Sequence, residues 1–322
     1  MTSTLSKFNR ICVTGANGFV GNALCQKLYL IGQDFTPVTR QYDQGKNIAI
    51  GSIGPDTDWS QALTECDSVI HLAARVHVMH DTEHDPLAAF RAVNTFGTLQ
   101  LARQAAKTGV KRFLFMSSIK VNGEETINHP FTEIDTPRPS DAYSVSKWEA
   151  EQGLMAIAQE TGMEVVIVRP PLVYGPNVGA NFLRLMQLVH SGIPLPFGAI
   201  RNLRSLIYVH NLVDAIIFLL NHPQAADQTF LVSDGENIST PDLIRRLAIY
   251  MKKQAWLVPV PRSIMNLPAS IVGKSPEVQR LFSSLAVDSS LIRQQFGWAP
   301  PYSLDDGLSS TVEWFLENKL NF

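Results

Sequence analysis

The stretch Ile11–Gly21, ICVTGANGFVG, decides how the rest of the chain is read. The β-forming run Ile11–Thr14 meets glycines at 15, 18 and 21, and a helical pattern, Phe19–Ile31, begins at once. A strand turning sharply into a helix in this way needs one glycine for the tight turn. It needs a second where backbone approaches a diphosphate, and a third where the helix packs on the strand. The helix start also offers free N–H groups and a partial positive charge to an anion. Such glycines also occur in ordinary turns; the strand before and the helix after point to dinucleotide binding.

Outward from the loop, β-rich runs lie at Arg10–Thr14, Phe35–Thr39, Asn47–Ile50, Ser68–Leu72, Arg112–Ser117 and Glu164–Arg169. Helical patterns separate them, the longest at Asp85–Thr108 and Ala142–Thr161. This alternation predicts an α/β protein with a Rossmann-type, doubly wound parallel sheet. Beyond it, proline-rich turns at Pro170–Pro176 and Pro194–Pro196 break the pattern, and helices are expected at Asn181–Ser191, His210–Asn221, Pro241–Lys253 and Ser303–Glu317. The expected organisation is an NAD(P)-binding domain over residues 1–170 and a smaller C-terminal α/β substrate-binding lobe over 171–322, with crossings back to the first domain.

With 322 residues, 45% hydrophobic and 17% charged, the chain can bury a large core. A net charge of -2 without basic runs argues against nucleic acid or a polybasic membrane contact. The apolar run Leu212–Leu220 is interrupted by Asp214 and is too short for a bilayer, and MTSTLSKFNR has no apolar signal segment. A cytoplasmic protein without membrane insertion is expected. The odd set Cys12, Cys25 and Cys66 lacks metal spacing and reads as reduced packing thiols. His77, His80 and His84 alternate with apolar residues in what reads as a loop, with no carboxylate geometry to complete a site, so no metal is expected.

Tyr143 and Lys147 stand four residues apart on a helical pattern and therefore share a face. Hydride transfer to a carbonyl needs a proton donor, and the reverse reaction needs a base. Lowering a phenol from about 10 by roughly three units takes about 4 kcal/mol of preferential phenolate stabilisation, which an ammonium and a nicotinamide charge can share. The pair alone is common on solvated helix faces. Ser118 adds weight: it follows a strand at the carboxyl edge of the sheet, where ligands of open α/β folds bind. At the end of the second strand, Thr39 stands where a carboxylate would bond the adenosine ribose of NAD, and Arg40 could pair with a 2′-phosphate. NADP is therefore slightly favoured over NAD; Arg40 stacked on adenine or facing water is the alternative. His71 ends a strand before the small residues Leu72, Ala73 and Ala74, and is read evenly as a cofactor contact or a locally bonded core histidine.

Taken together, TGANGFVG, HLAA at 71–74, RAVNTFGT around Asn94, SSIKVNG at 117–123, YSVSK at 143–147 and RPPLVYGP at 169–176 resemble the extended short-chain dehydrogenase/reductase family, in its nucleotide-sugar epimerase and dehydratase branch. The resemblance implies Ser118, Tyr143 and Lys147 as catalytic triad, with Asn94 supporting the active-site helix. It implies cofactor contacts from Gly15, Asn17, Gly18, Phe19, Val20 and Gly21 in the loop. Further contacts fall at Arg40, Ser52 and Ile53, then at Leu72, Ala73 and Ala74, and at Asn94, Tyr143, Lys147 and Pro170. Thr39 and Ser52 replace acidic residues of the family pattern, which bears on the adenosine contacts and not on the triad.

On the substrate side the resemblance implies Ser118 and Tyr143 at the sugar, Asn181 and Arg204 at a nucleotide diphosphate, and Phe197 beside a base. A helix cap, a surface cation and a core ring are the alternatives for the last three. Ile119 and Lys120 stand where dehydratases of the branch carry Asp-Glu, so elimination of water is disfavoured. The resemblance then implies reduction of a UDP-4-keto-(6-deoxy)-hexosamine in surface-polysaccharide synthesis, or 4-epimerisation of UDP-glucose or a UDP-N-acetylhexosamine with retained NAD. A non-catalytic sensor and a ketone reductase for steroids or flavonoids are the outlying readings; the intact triad weighs against the first, Asn181 and Arg204 against the second. A homodimer through the two long helices is also implied.

Overall fold

The computed structural model of the protein describes residues 8–42, 47–76, 85–260 and 282–318. Seven parallel strands form the main sheet in the order β3-β2-β1-β4-β5-β6-β9. They are β1 Arg10–Thr14, β2 Asp34–Thr39, β3 Ile48–Ala49, β4 Ser68–His71, β5 Arg112–Met116, β6 Glu164–Arg169 and β9 Gln228–Leu231. Their side chains alternate between two cores, as a pleat of period two requires. Ile11, Val13, Ile70, Leu114, Val166 and Val168 enter one core with α1 Phe19–Leu30 and α6 Val209–Asn221. Cys12, Val69, Phe113, Phe115, Val165 and Ile167 enter the other, under α3 Thr98–Lys107 and α4 Ala142–Thr161. A sheet buried on both faces explains why these strands read as nearly unbroken apolar runs.

Pro37 lies within β2, where a missing N–H would normally break a ladder. Here β3 pairs only with Val38 and Thr39, so Pro37 sits beyond the short strand's reach. The order reverses beside β1, whose neighbours are β2 and β4, and this switch point opens a crevice at the carboxyl ends.

The first long helix, Pro86–Lys107, is not uniform. Between α2 Pro86–Phe90 and α3, residues Arg91–Gly97 form a widened π-helical segment. Such turns re-aim side chains and are frequent at functional sites. α4 begins with a reciprocal cap in which Asp141 accepts from Ser144 N at 2.7 Å and Ser144 Oγ accepts from Asp141 N at 3.1 Å. It ends at Gly162 in the left-handed conformation.

After β6 a second, three-stranded sheet forms: β7 Leu172–Tyr174 lies parallel to β8 Arg204–Tyr208, and β10 Asn237–Ile238 pairs antiparallel with β8. α5 Ala180–Ser191 and α7 Thr240–Tyr250 accompany it, with a last helix Leu304–Asn318. The sequence implies an α/β lobe but places no strand beyond Arg169, and four follow; each has two to five residues and is defined by distant partners. β9 returns the chain to the main sheet beside β6. Among the described residues no helix is long and apolar enough to cross a membrane, and Cys12, Cys25 and Cys66 are free thiols.

Candidate active site

The loop after β1 has the backbone form its glycines permit. Gly15 has φ of 69°, and a Cβ there would lie 2.8 Å from Ala73 N. A Cβ on Gly21 would overlap the Gly15 carbonyl, whereas one on Gly18 would stand 3.2 Å from that oxygen. Gly15 and Gly21 therefore serve the turn and the helix packing, and Gly18 leaves room above the loop. α1 starts at Gly18 with no side-chain cap and no acidic residue in its first turn, so its N–H groups face outward as an anion cradle. These features fit a dinucleotide diphosphate. Asn17, Gly18 and Phe19 line a cavity of about 280 Å³ with Pro176, Asn177 and His210.

Beside the loop, His71 is fully buried. Its Nδ1 lies 2.6 Å from Thr14 Oγ1 and its Nε2 2.9 Å from Thr98 Oγ1, tying β1, β4 and α3 together. Burial, aided by the Lys147 charge, pushes this imidazole down to about 3, so it is neutral. Ala73 N donates to Thr14 Oγ1 at 3.3 Å, which holds the small Leu72–Ala74 edge against the loop. At the adenosine side, Thr39 is buried and its hydroxyl donates to Gln41 O at 2.6 Å. Arg40 and Ser52 are exposed, and Ile53 packs over Gly97, where a Cβ would overlap its side chain.

The three residues of the triad come from two elements. Ser118 follows β5 and caps the single turn Ile119–Val121, and its hydroxyl bonds Tyr143. Tyr143 and Lys147 rise from successive turns of α4, with Phe90 edge-on to the phenol at 6.1 Å. Lys147 is buried; Nζ donates to Met116 O at 2.9 Å and stands 4.4 Å from the centre of the Phe115 ring. Asn94, in the widened turn, accepts from Arg75 N at 2.8 Å and donates to Ser146 Oγ at 3.0 Å, while Thr95 donates to Ser146 O. The wide turn thus grips α4 directly beside Lys147.

From sequence, the ammonium and a nicotinamide charge together are expected to draw the phenol down by roughly three units. In the protein by itself the balance differs. Burial pushes Tyr143 up to about 12, with the Ser118 hydrogen bond opposing and Asp141 reinforcing. Burial pushes Lys147 down to about 7, with Glu151 opposing. Tyr143 is therefore held as an acid, and Lys147 titrates near neutrality.

Lys120, two residues after Ser118, is paired with two carboxylates: Nζ lies 3.0 Å from Glu124 and 2.5 Å from Asp141. Burial would raise Asp141, but Lys120 and the Ser144 N–H hold it near 2. Sequence reasoning missed a buried layer beneath the triad. Glu151, one turn beyond Lys147, accepts from Ser117 Oγ and from Arg169 Nε at 3.0 Å and Nη2 at 2.5 Å. The eight-residue interval from Tyr143 was the available signal.

The substrate-side residues are more scattered. Asn181 is exposed in the first turn of α5 and does not cap it. Arg204 opens β8, half-buried, with Nη1 donating to Ser283 O at 3.1 Å. Phe197 is buried in the main core. Pro170 accepts from Ile119 N at 3.0 Å, fixing the turn after Ser118. His77, His80 and His84 lie outside the described residues. Among those described, no group of three His, Cys, Asp or Glu is placed to hold a metal.

The profile of the NAD dependent epimerase/dehydratase family matches residues 11–233. A UDP-glucose 4-epimerase of Vibrio cholerae is 47% identical over 313 residues, covering 95% of this chain and 95% of its own. The structure of a Thermotoga maritima UDP-glucose 4-epimerase with UDP-glucose has the same fold, with a TM-score of 0.76 at 23% identity over 96% of this chain and 99% of that one. So does RMD of Pseudomonas aeruginosa complexed with NADPH, with a TM-score of 0.74 at 24% identity over 96% and 99%.

Proposed function

The chain belongs to the NAD dependent epimerase/dehydratase family of nucleotide-sugar enzymes, and we propose that it exchanges hydride at C4 of a UDP-linked hexose. The observation that carries this is the convergence of Ser118, Tyr143 and Lys147 at the carboxyl edge of the sheet, beside the uncapped start of α1.

The Gly15–Gly21 loop would hold a nicotinamide cofactor, which when bound would supply or take up the hydride. The protein supplies the proton. Tyr143, kept protonated at about 12, gives its proton to the C4 oxygen as a carbonyl is reduced, and its phenolate accepts one as the alcohol is oxidised. Ser118 orients that oxygen through the same hydroxyl that bonds the phenol. Lys147, on the Met116 carbonyl and the Phe115 ring, offers positive charge to the phenolate from below. Residues 171–322 act mainly as the substrate lobe, with Asn181 and Arg204 toward the diphosphate and Phe197 behind the base pocket.

The first reading is 4-epimerisation with retained cofactor, favoured by the 47% identity to a UDP-glucose 4-epimerase across nearly the whole chain. Net reduction of a UDP-4-keto-hexose is the second, favoured by the end of β2, where the Thr39 hydroxyl is already engaged and Arg40 is exposed to receive a 2′-phosphate. Incubation with UDP-hexoses and UDP-4-keto-hexoses, followed by NAD(P)H absorbance and product chromatography, separates them. Interconversion without net cofactor consumption supports epimerisation, and stoichiometric NADPH oxidation supports reduction. Absence of both, in protein that binds UDP and a reduced nicotinamide, overturns the proposal.

A further inference from the structure

Tyr143, Lys147 and Glu151 follow one another at intervals of four along α4, so all three project from one face. The third lies in the interior: Glu151 is 1% exposed, Lys147 2%, Arg169 3% and Ser117 3%. The carboxylate is bound on both oxygens. Oε1 accepts from Ser117 Oγ and Arg169 Nε, and Oε2 from Arg169 Nη2. Arg169 passes its remaining reach to Asn122, Nη1 to Oδ1 at 2.9 Å, and Asn122 Nδ2 donates to Thr132 O at 3.0 Å. The same strand end fixes the turn after Ser118 through Pro170 O. One buried network therefore touches every element that carries a triad residue.

Burying an ion pair is costly, and well-packed apolar residues often serve stability as well or better. A pair placed directly below Lys147 has a second use. We propose that Glu151 is a positioning residue for catalysis: clamped by Ser117 and Arg169, its carboxylate holds the Lys147 ammonium in place and charged, and through it governs proton exchange at Tyr143. This rests on the proposed hydride-transfer function of the same site.

The surroundings of Lys147 leave that task to Glu151. From β4 it faces His71, which is neutral; from β5, the Phe115 ring and Met116 carbonyl; from its own helix, Tyr143 and Glu151. From β6 comes Arg169, a second cation turned onto Glu151, with Glu133 within electrostatic reach of that arginine. Burial draws Lys147 down to about 7 and Glu151 opposes it, in agreement with the geometry.

The test compares the full-length protein with Glu151→Gln. Lys147 is titrated by carbon-13 NMR of lysine ε-carbons, assigned with Lys147→Arg, and kcat and KM for the UDP-hexose are measured from pH 5 to 10. The Lys147 midpoint is expected to move acid-ward by about one unit or more, a tenfold loss of ammonium above its midpoint. The alkaline limb of kcat should move with it, while KM stays within about twofold. Ser117→Ala, which keeps the carboxylate, should shift the midpoint far less. An unchanged Lys147 midpoint in folded Glu151→Gln overturns the proposal. If the stranded Arg169 prevents folding, Glu151→Gln/Arg169→Met is compared with Arg169→Met; a Lys147 midpoint no lower in the double variant than in Arg169→Met also overturns it. The NMR titration reads the network even if no UDP-hexose is turned over, so failure of the functional reading is seen separately.

Discussion

Asp234 and Lys147 are both buried charges, one in each half of the chain, and their surroundings differ. Asp234 is saturated by its own fold: Tyr174 OH donates at 2.9 Å, Tyr208 N at 2.9 Å and Asn211 Nδ2 at 2.7 Å. Asn211 in turn bonds Tyr302 through both its carbonyl and its amide, so the cluster joins β7, β8, α6 and the chain before the last helix. Among the described residues Lys147 makes one hydrogen bond, to Met116 O, and rests on an aromatic face. A lysine ammonium has three donors. The first arrangement closes a structure; the second keeps donor capacity for something that arrives. Buried polarity around Asp234 serves assembly, and around α4, on the proposed function, it serves chemistry.

The largest expected effect tests that division at its centre. Tyr143→Phe removes the proton and leaves the ring that packs on Phe90. Turnover should fall by about 10²- to 10⁴-fold, the usual worth of a positioned acid or base, with UDP affinity unchanged by calorimetry. Undiminished activity in a cell-based complementation assay would instead make this half a binding module and erase the contrast with Asp234.

The same division governed what could be read from sequence. The glycine loop and the Tyr143–Lys147 interval state local requirements: a left-handed turn only glycine adopts easily, and two side chains one turn apart. The Arg169–Glu151 pair did not show, because its members stand 18 residues apart and meet only when α4 lies on β6. Asn94 was visible in a motif, but the π-helical turn that brings it to Ser146 and Arg75 has no signature in composition. In the second half the ladders are short, three pairs between β7 and β8 and two between β10 and β8, and single bridges such as Arg204 opposite Leu285 are non-local, so the periodicity that marked β1 and β5 had no length over which to appear.

A smaller effect concerns pH. His71 is held neutral at about 3, below its ordinary 6.5, so the unfolded chain binds this proton more readily than the folded one. The stability contributed by keeping it neutral is fully present above about 6.5 and declines as pH falls toward 3, by about 1.4 kcal/mol per unit. Urea midpoints at pH 7, 6 and 5 measure this slope. His71→Gln, which bonds without titrating in that window, should be flatter by about that amount between pH 6 and 5. An equal slope would mean the acid sensitivity originates elsewhere, and the polar burial near α4 would then be no different in kind from that around Asp234.

The smallest effect probes the second half on its own terms. Arg204 donates to Ser283 O, but the backbone already secures that junction: Ser205 N donates to Leu285 O at 2.9 Å and Leu285 N to Leu203 O at 2.9 Å. Losing the side-chain bond should therefore cost only about 1 kcal/mol of stability. If the guanidinium also grips a diphosphate, Arg204→Ala should weaken UDP binding by about tenfold by calorimetry. Arg204→Lys should recover part of this, since it restores the charge without the fork. A fall in Tm with UDP affinity intact would assign Arg204 to assembly alongside Asp234. The diphosphate contact would then fall to exposed side chains such as Asn181.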